Sequence, residues 1–506
     1  MLAHIPSAML SGVDGRRIDV EVHVSPGLPG FTIVGLPDAA VREARDRVRA
    51  AVLSSGYKWA TNRVTVNLAP SGLRKAGSGL DLAIAVGVLV VGRRIDPARI
   101  TDMAFVGELG LDGSVRPIPG IVSLVAALAD HRFVVVPEAS AAEAALVGGD
   151  RVRSVATLLE LVQAVGGDAP WPRRPRSIDR RDRRAPIPDL ADVRGQAVGR
   201  RAVEVAAAGG HHLLLVGPPG SGKTMLASRL PGILPALDRE EALEVTRVHS
   251  AAGVRVDGGG FAVRPPFRAP HHGSTDVSLV GGGSTWLRPG EISLAHRGVL
   301  FLDELGEFPP RILDMLRQPL EEGVVRIRRA RAAVDLPARF LLVGAMNPCP
   351  CGEGSTEGGC RCSDLARARY ARRLSAPLLD RFDLAVALAR PDVDQLLGGS
   401  SGEATPVVAA RVRRARSLAH RRRLRCNAEI RTSELDVVAP LSPDARDLLE
   451  RRLRVGSLSA RGLHRVRKVA RTIADLDDAG LTVGVRQVAE ALQLRAARSA
   501  LGVTSG

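Results

Sequence analysis

The chain has 506 residues, which at roughly 100–200 residues per domain suggests about three domains. Its 45% hydrophobic and 25% charged residues exclude wholesale disorder, and with aromatics at only 3% the cores have to be built from Ala, Val, Leu and Ile. The net charge of +17, carried by 67 Arg and only four Lys, predicts attraction to polyanions such as nucleic acid, and residues 401–506 alone hold a net +10.

A membrane span is not expected. The longest apolar run, Leu80–Gly92, is too short to cross a bilayer and ends at Arg93-Arg94. Met1-Leu-Ala-His-Ile-Pro6 has no basic segment leading into an apolar one, so the cytoplasm is the expected location.

In chain order, residues 1–165 alternate strands with Ala-rich helical stretches. Ile18–Val24, Arg63–Leu68 and Phe133–Val136 have strand patterning, while Ala39–Ser54 and Leu124–Asp130 have helical patterning, which predicts an α/β or α+β domain. Residues 166–188 carry seven Arg against three Asp and several prolines, and predict a basic exposed linker, either a solvated hinge or a nucleic-acid contact. Residues 189–390 form a second α/β block with a parallel sheet. Residues 391–506 are mostly helical, with a Gly-Ser break at 398–402. No repeat of 20–50 residues is present.

The strongest motif is Gly217-Pro218-Pro219-Gly220-Ser221-Gly222-Lys223-Thr224, which fills the pattern G-x-x-x-x-G-K-[ST]. An apolar run, His211–Val216, precedes it and a helix start, Met225–Leu230, follows. Glycines let backbone N–H groups turn inward around phosphates, and a helix N-terminus adds positive potential. Lys223 would then place a cation on the β- and γ-phosphates of ATP, and Thr224 a hydroxyl on Mg²⁺. Gly298–Leu305 is an apolar strand ending in Asp303-Glu304, as in a Walker B motif, with Asp303 in the Mg²⁺ shell and Glu304 as general base. A third apolar strand ends at Asn347, placed to orient the attacking water. Arg381, in Leu378-Leu-Asp-Arg-Phe-Asp383, is either a surface ion pair or a finger reaching a neighbour's γ-phosphate. Arg461 is a candidate second sensor from the helical lid.

These pieces together resemble the magnesium-chelatase-like AAA+ ATPases, specifically the ComM/YifB family. The resemblance rests also on Asp192-Val-Arg-Gly-Gln196, Ala206–His211, Phe267-Arg-Ala-Pro-His-His272, Arg288–His296 and Asn347-Pro-Cys-Pro-Cys-Gly352, and it covers nearly the whole chain. It implies a Lon-protease-like N-terminal domain, a central AAA+ module and a C-terminal helical lid. It also implies a hexameric ring that hydrolyses ATP and moves on DNA, with branch migration of incoming DNA as the expected role. The family's functional positions carry over to Lys223, Thr224, Asp303, Glu304, Asn347, Arg381 and Arg461. In related helicases a hairpin between the Asp303 and Asn347 strands points into the ring's pore, and here Glu322–Leu336 reads as such a hairpin, with Arg328, Arg329 and Arg331 near its tip for a phosphate backbone.

Cys349, Cys351, Cys360 and Cys362 give C-x-C-x8-C-x-C, either a structural Zn²⁺ site or a loop of free thiols, and Cys426 reads as inert. The basic stretch Arg411–Arg425 is read first as a solvated lid face, with DNA or subunit contact as alternatives. His271-His272 is read as loop packing rather than as a metal pair. Two other functions compete with a DNA motor. One is the motor subunit of a magnesium chelatase, against which the N-terminal domain argues at this stage. The other is a regulator that binds nucleotide without DNA activity.

Peptidase activity is not expected from the N-terminal domain. Against the Lon nucleophile pattern Lys-x-Gly-x-Ser, the chain has Lys75-Ala-Gly-Ser-Gly79, with Gly79 at the serine position and Val122 where the partner lysine belongs. A casein digest should stay blank, and hydrolysis that disappears in Ser78→Ala would contradict this.

Overall fold

The computed structural model describes residues 1–59, 62–172, 187–254, 260–283, 287–329, 332–354, 360–392, 394, 397 and 402–497. Most of the expected basic linker, residues 173–186, and most of the Gly-Ser break at 398–402 lie outside them.

The N-terminal part begins with a long antiparallel hairpin, Leu2–Ser11 against Asp14–Ser25. Strand Arg63–Ala69 pairs antiparallel to its second arm, and Gly30–Val34 adds on in parallel. Alternate residues of the hairpin, among them Ile5, Ile18, Val20 and Val22, are buried. They face a core that includes the helix Asp81–Val91, which is buried along its whole length. That helix is the long apolar run of the sequence, used as a core helix. Its one charge, Asp81, meets Arg47 Nε at 2.7 Å, and burial pushes the Asp81 carboxyl up to about 6. A parallel sheet of Met103–Phe105, Phe133–Pro137 and Val152–Val155 completes this part.

The central part is a five-stranded, all-parallel sheet in the spatial order Phe267–Arg268, Val299–Leu302, Leu341–Met346, Leu213–Val216, Leu384–Ala387. The three middle strands are near-continuous apolar runs because both faces of the sheet are covered. This is an α/β architecture consistent with an AAA+ P-loop fold. Helices from Thr405 to Gln493 follow it. They are tied back at Asp189, whose Oδ1 accepts from Thr405 N at 2.7 Å and from Ala191 N at 3.0 Å.

The N-terminal part docks on the central one. Gly120 N donates to Ser250 O at 2.8 Å. The turn at Gly12 lies against the hairpin formed by Val324–Arg329 and Ala332–Pro337, so closely that a Cβ on Gly12 would come within 2.2 Å of Val334 Cγ1. No helix among the described residues is long and apolar enough to cross a membrane.

Two histidines brace the N-terminal edge of the central sheet in neutral form. His296 Nδ1 accepts from Arg339 N, and His212 Nδ1 from Leu342 N, each at 3.0 Å, so neither nitrogen can carry a proton. Burial pushes both imidazoles down to about 4. Below the unfolded value of about 6.5 the unfolded chain binds protons that the folded chain refuses, so stability is lost between about pH 6.5 and 4. The thermal midpoint should fall through that window. A midpoint that stays level there would contradict the assignment.

Candidate nucleotide site

The parallel sheet brings three motif ends to one edge. Val216 pairs with Met346, and Leu302 with Gly344, so Gly217, Asn347 and Asp303 all emerge at the C-terminal side, where open α/β sheets bind ligands. The loop Gly217–Gly222 leads into the short helix Lys223–Ala227. Gly220 and Gly222 have φ of +80° and +84°, a region that side-chain-bearing residues rarely adopt. Gly217 is needed for a different reason: a Cβ there would lie 2.5 Å from the Leu388 carbonyl oxygen.

Lys223 Nζ donates to the carbonyls of Gly217 at 2.7 Å and Pro218 at 2.9 Å, and lies 3.3 Å from Asn347 Oδ1. Burial lowers its pKa, while Asp303 and Glu304 oppose that shift. Thr224 Oγ1 donates to Asp303 Oδ2 at 2.6 Å. A hydroxyl and a carboxylate this close are the hard oxygen donors that Mg²⁺ takes together with phosphate, so the residues fit that ion. Asp303 Oδ1 also accepts from Glu304 N at 2.9 Å. Glu304 itself sits at φ +50°, ψ +47°, a strained backbone for a residue with a side chain, and strain of that kind clusters at functional sites.

Two further residues, Gln196 and His272, join the site. Gln196 Nε2 donates to Ser221 O at 3.0 Å and Ala389 O at 2.7 Å, and so fastens the loop from beneath. His272 was read as loop packing. Its Nδ1 lies 3.1 Å from Glu304 Oε2, which makes it a partner of the candidate base. Both belong to segments that the resemblance had singled out, but only three-dimensional proximity assigns them a function.

Arg381 and Arg461 lie elsewhere. Leu384 pairs with Leu213, so Arg381 is at the N-terminal edge, separated from Lys223 by a strand of about 13 Å before loops are counted. Burial lowers the Arg381 pKa, and Arg465, Arg461 and Arg317 lower it further, which places these four cations in one neighbourhood. Glu321 pairs with Arg381, and Arg465 Nη1 is 2.5 Å from Asp383 Oδ1.

Other expected sites need adjusting. In the hairpin, Arg328 is exposed, but its Nη1 is 2.7 Å from Asp335 Oδ1, so its charge is partly neutralised within the chain. The Arg329 side chain and Arg331 lie outside the described residues. The basic stretch is not simply a solvated face. Arg411 pairs with Glu204 at 2.6 Å, Arg416 donates to Ala207 O at 2.7 Å, and Arg422 pairs with Asp475, all of which tie helix Thr405–Arg421 and its end to the rest of the fold. The Sγ atoms of Cys349, Cys351, Cys360 and Cys362 lie within 4.8 Å of one another, a group that could hold a metal ion. In the N-terminal part, Ser78 Oγ donates to Glu108 and Lys75 Nζ to the Pro70 carbonyl.

Fold and site together define a P-loop ATPase. Family models described as magnesium chelatase subunit ChlI match residues 20–140, 189–396 and, for its C-terminal part, 402–495. The chain is 45% identical to a protein of Mycobacterium tuberculosis over 97% of both chains. It is 42% identical to YifB of Escherichia coli, over 98% of this chain and 97% of that one, and 41% identical to the competence protein ComM of Haemophilus influenzae over 94% of both. It therefore belongs to the magnesium-chelatase-like AAA+ ATPases of the ChlI/YifB/ComM family. One sequence argument falls here: the N-terminal block does not set the chain apart from chelatase subunits, because that block also matches a model of that description.

Glu304→Gln should bind ATP and lose turnover by at least about 100-fold, whereas Lys223→Ala should lose binding as well. Nucleotide binding and phosphate release measured on the same preparations separate the two. Normal turnover in Glu304→Gln would mean that another group activates the water.

Proposed function

We propose that the chain is the subunit of a cytoplasmic head-to-tail ring, a hexamer, in which each ATP is hydrolysed between neighbours and the stroke remodels DNA. The observation that carries the ring is the separation of Lys223 from Arg381 and Arg461 on opposite edges of one sheet. A chain of this shape presents its arginines where only another copy's nucleotide can meet them, a heterologous arrangement that closes into a ring. In one cycle Lys223 holds the β- and γ-phosphates, and Thr224 and Asp303 hold Mg²⁺. Glu304 takes the proton of a water oriented with Asn347, and the neighbour's Arg381 neutralises the charge that develops on the phosphoryl group, with Arg461 beside it.

The DNA load is supported by the net charge of +17, by the basic hairpin, and by similarity to a relative named as a competence protein. A second reading is a chelatase-type motor that acts on a metal-inserting partner. The family-model descriptions favour it, as does 28% identity to the magnesium-chelatase 38 kDa subunit of Cereibacter sphaeroides, although that match spans 35% of this chain and 51% of that protein. The N-terminal part is assigned a Lon-like scaffold role without proteolysis.

Mixing tests the ring. Lys223→Ala and Arg381→Ala should each be inactive alone and regain ATPase activity when combined, because the mixed boundary has one intact site and one intact finger. No recovery on mixing would place Arg381 outside catalysis in trans. Branched duplex added to the wild-type protein should raise turnover. Stimulation by a porphyrin-binding partner, with none by DNA, would assign the chelatase reading instead.

A further inference from the structure

We infer that the four clustered cysteines bind one Zn²⁺, and that this ion is a brace of the nucleotide site rather than a detached structural knuckle. The inference rests on the ATP site but is independent of the load that the motor moves. Cys349 Sγ lies 3.3 Å from Cys351 Sγ and 3.7 Å from Cys360 Sγ, and Cys351 Sγ lies 3.9 Å from Cys360 Sγ. Four thiolates around one tetrahedral Zn²⁺, with bonds of about 2.3 Å, place their sulfurs about 3.8 Å apart. The three distances scatter around that spacing, and Cys362 completes the set with all four sulfurs within 4.8 Å of one another. None of the pairs is at the bonding distance of a disulfide. Soft thiolates in a compact cluster select zinc over Mg²⁺, which prefers oxygen donors such as Thr224 and Asp303.

The position of the cluster gives the ion its role. Cys349 follows Asn347 by two residues, and Cys362 precedes the helix Asp364–Ala371 by two. From that helix the buried Tyr370 returns to the site. Its hydroxyl faces the Asn347 backbone, and its ring packs so closely on Gly306 that a Cβ there would come within 2.8 Å. On the other side Gly352, at φ +82°, lies under the phosphate loop, where a Cβ would be 2.7 Å from Pro219 Cδ. Arg390 links the same pieces, donating to Glu353 Oε1 at 2.6 Å and to Pro219 O at 3.3 Å. The loop closed by the four sulfurs therefore touches the phosphate loop through Gly352 and continues the Asn347 strand, and the helix that follows it reaches the turn after Glu304 through Tyr370. Among the described residues, the ion would join the two ends of that loop, Cys349–Cys351 and Cys360–Cys362, to each other.

The full-length protein, purified without added metal and exchanged against EDTA, should hold one zinc per chain by elemental analysis. Cys360→Ser/Cys362→Ser should lose it and bind a fluorescent ATP analogue at least about tenfold more weakly, with far-ultraviolet circular dichroism unchanged. Cys362→His, which keeps a zinc ligand, should restore both. If the serine variant misfolds, mercurial release of zinc from the wild-type protein, followed during nucleotide titration, reads the same coupling. Lys223→Ala should lose nucleotide while keeping zinc, which distinguishes failure of the ATP site from failure of the metal site. Four thiols that react at once in the native metal-replete protein, or zinc that leaves without changing nucleotide affinity, would overturn the inference.

Discussion

Parallel pairing of five short strands is the constraint on which the rest depends. Because Leu213–Val216 runs parallel to both Leu341–Met346 and Leu384–Ala387, chemistry carried at strand ends is sorted by polarity. Everything after a strand (Gly217, Asp303, Asn347) gathers at one edge, and everything before a strand (His211, Arg381) gathers at the other. Each of these strands is buried on both faces, as parallel strands covered on either side are. The separation of Arg381 from the phosphate loop within one chain is thus set by the sheet.

The far edge is held by polar groups as well as by apolar packing, in which Val466, Val469 and Ile473 join Leu213 and Leu384. Asp475, only 1% exposed, collects Arg471, Arg422 and Asn427. Thr472, beside it, bonds His211 at 2.8 Å. Arg201 meets Glu490 at 2.7 Å and Asp477 at 3.0 Å. Buried ion pairs add little net stability once desolvation is counted, but removing one partner is costly, so they fix position more than they stabilise. The result is that the helix Ala460–Leu476 is fastened to the strand edge that precedes Leu213. Arg465 of that helix donates to Arg381 O at 3.2 Å and pairs with Asp383 ahead of the last strand.

Much of this was legible from sequence. Ala39–Ser54 forms the helix its pattern predicts, and the P-loop and its flanking strand stand where the motif places them, because glycine-dependent loops and buried strands leave strong local signals. Gln196 and His272 left none. A glutamine at the start of a helix and a histidine in a Pro-rich loop look ordinary until folding brings them to Ser221 and Glu304. The basic stretch misled for the opposite reason: its charge is obvious in sequence, but its acceptors, Glu204, Ala207 O and Asp475, come from other elements.

That last point bears on the meaning of the net charge. A count of +17 describes the field far from the molecule, and says nothing about which cations are available to a phosphate. Arg471 is nearly inaccessible, Arg416 and Arg422 serve backbone and carboxylate acceptors inside the fold, and Arg328 leans on Asp335. The hairpin that carries Arg328 is in turn pressed against the Gly12 turn of the N-terminal part. Binding of a polyanion at that hairpin would have to displace Asp335 from Arg328 and work beside a wall formed by residues far away in sequence. The N-terminal part therefore stands directly beside the hairpin, with the Gly12 turn against Val334.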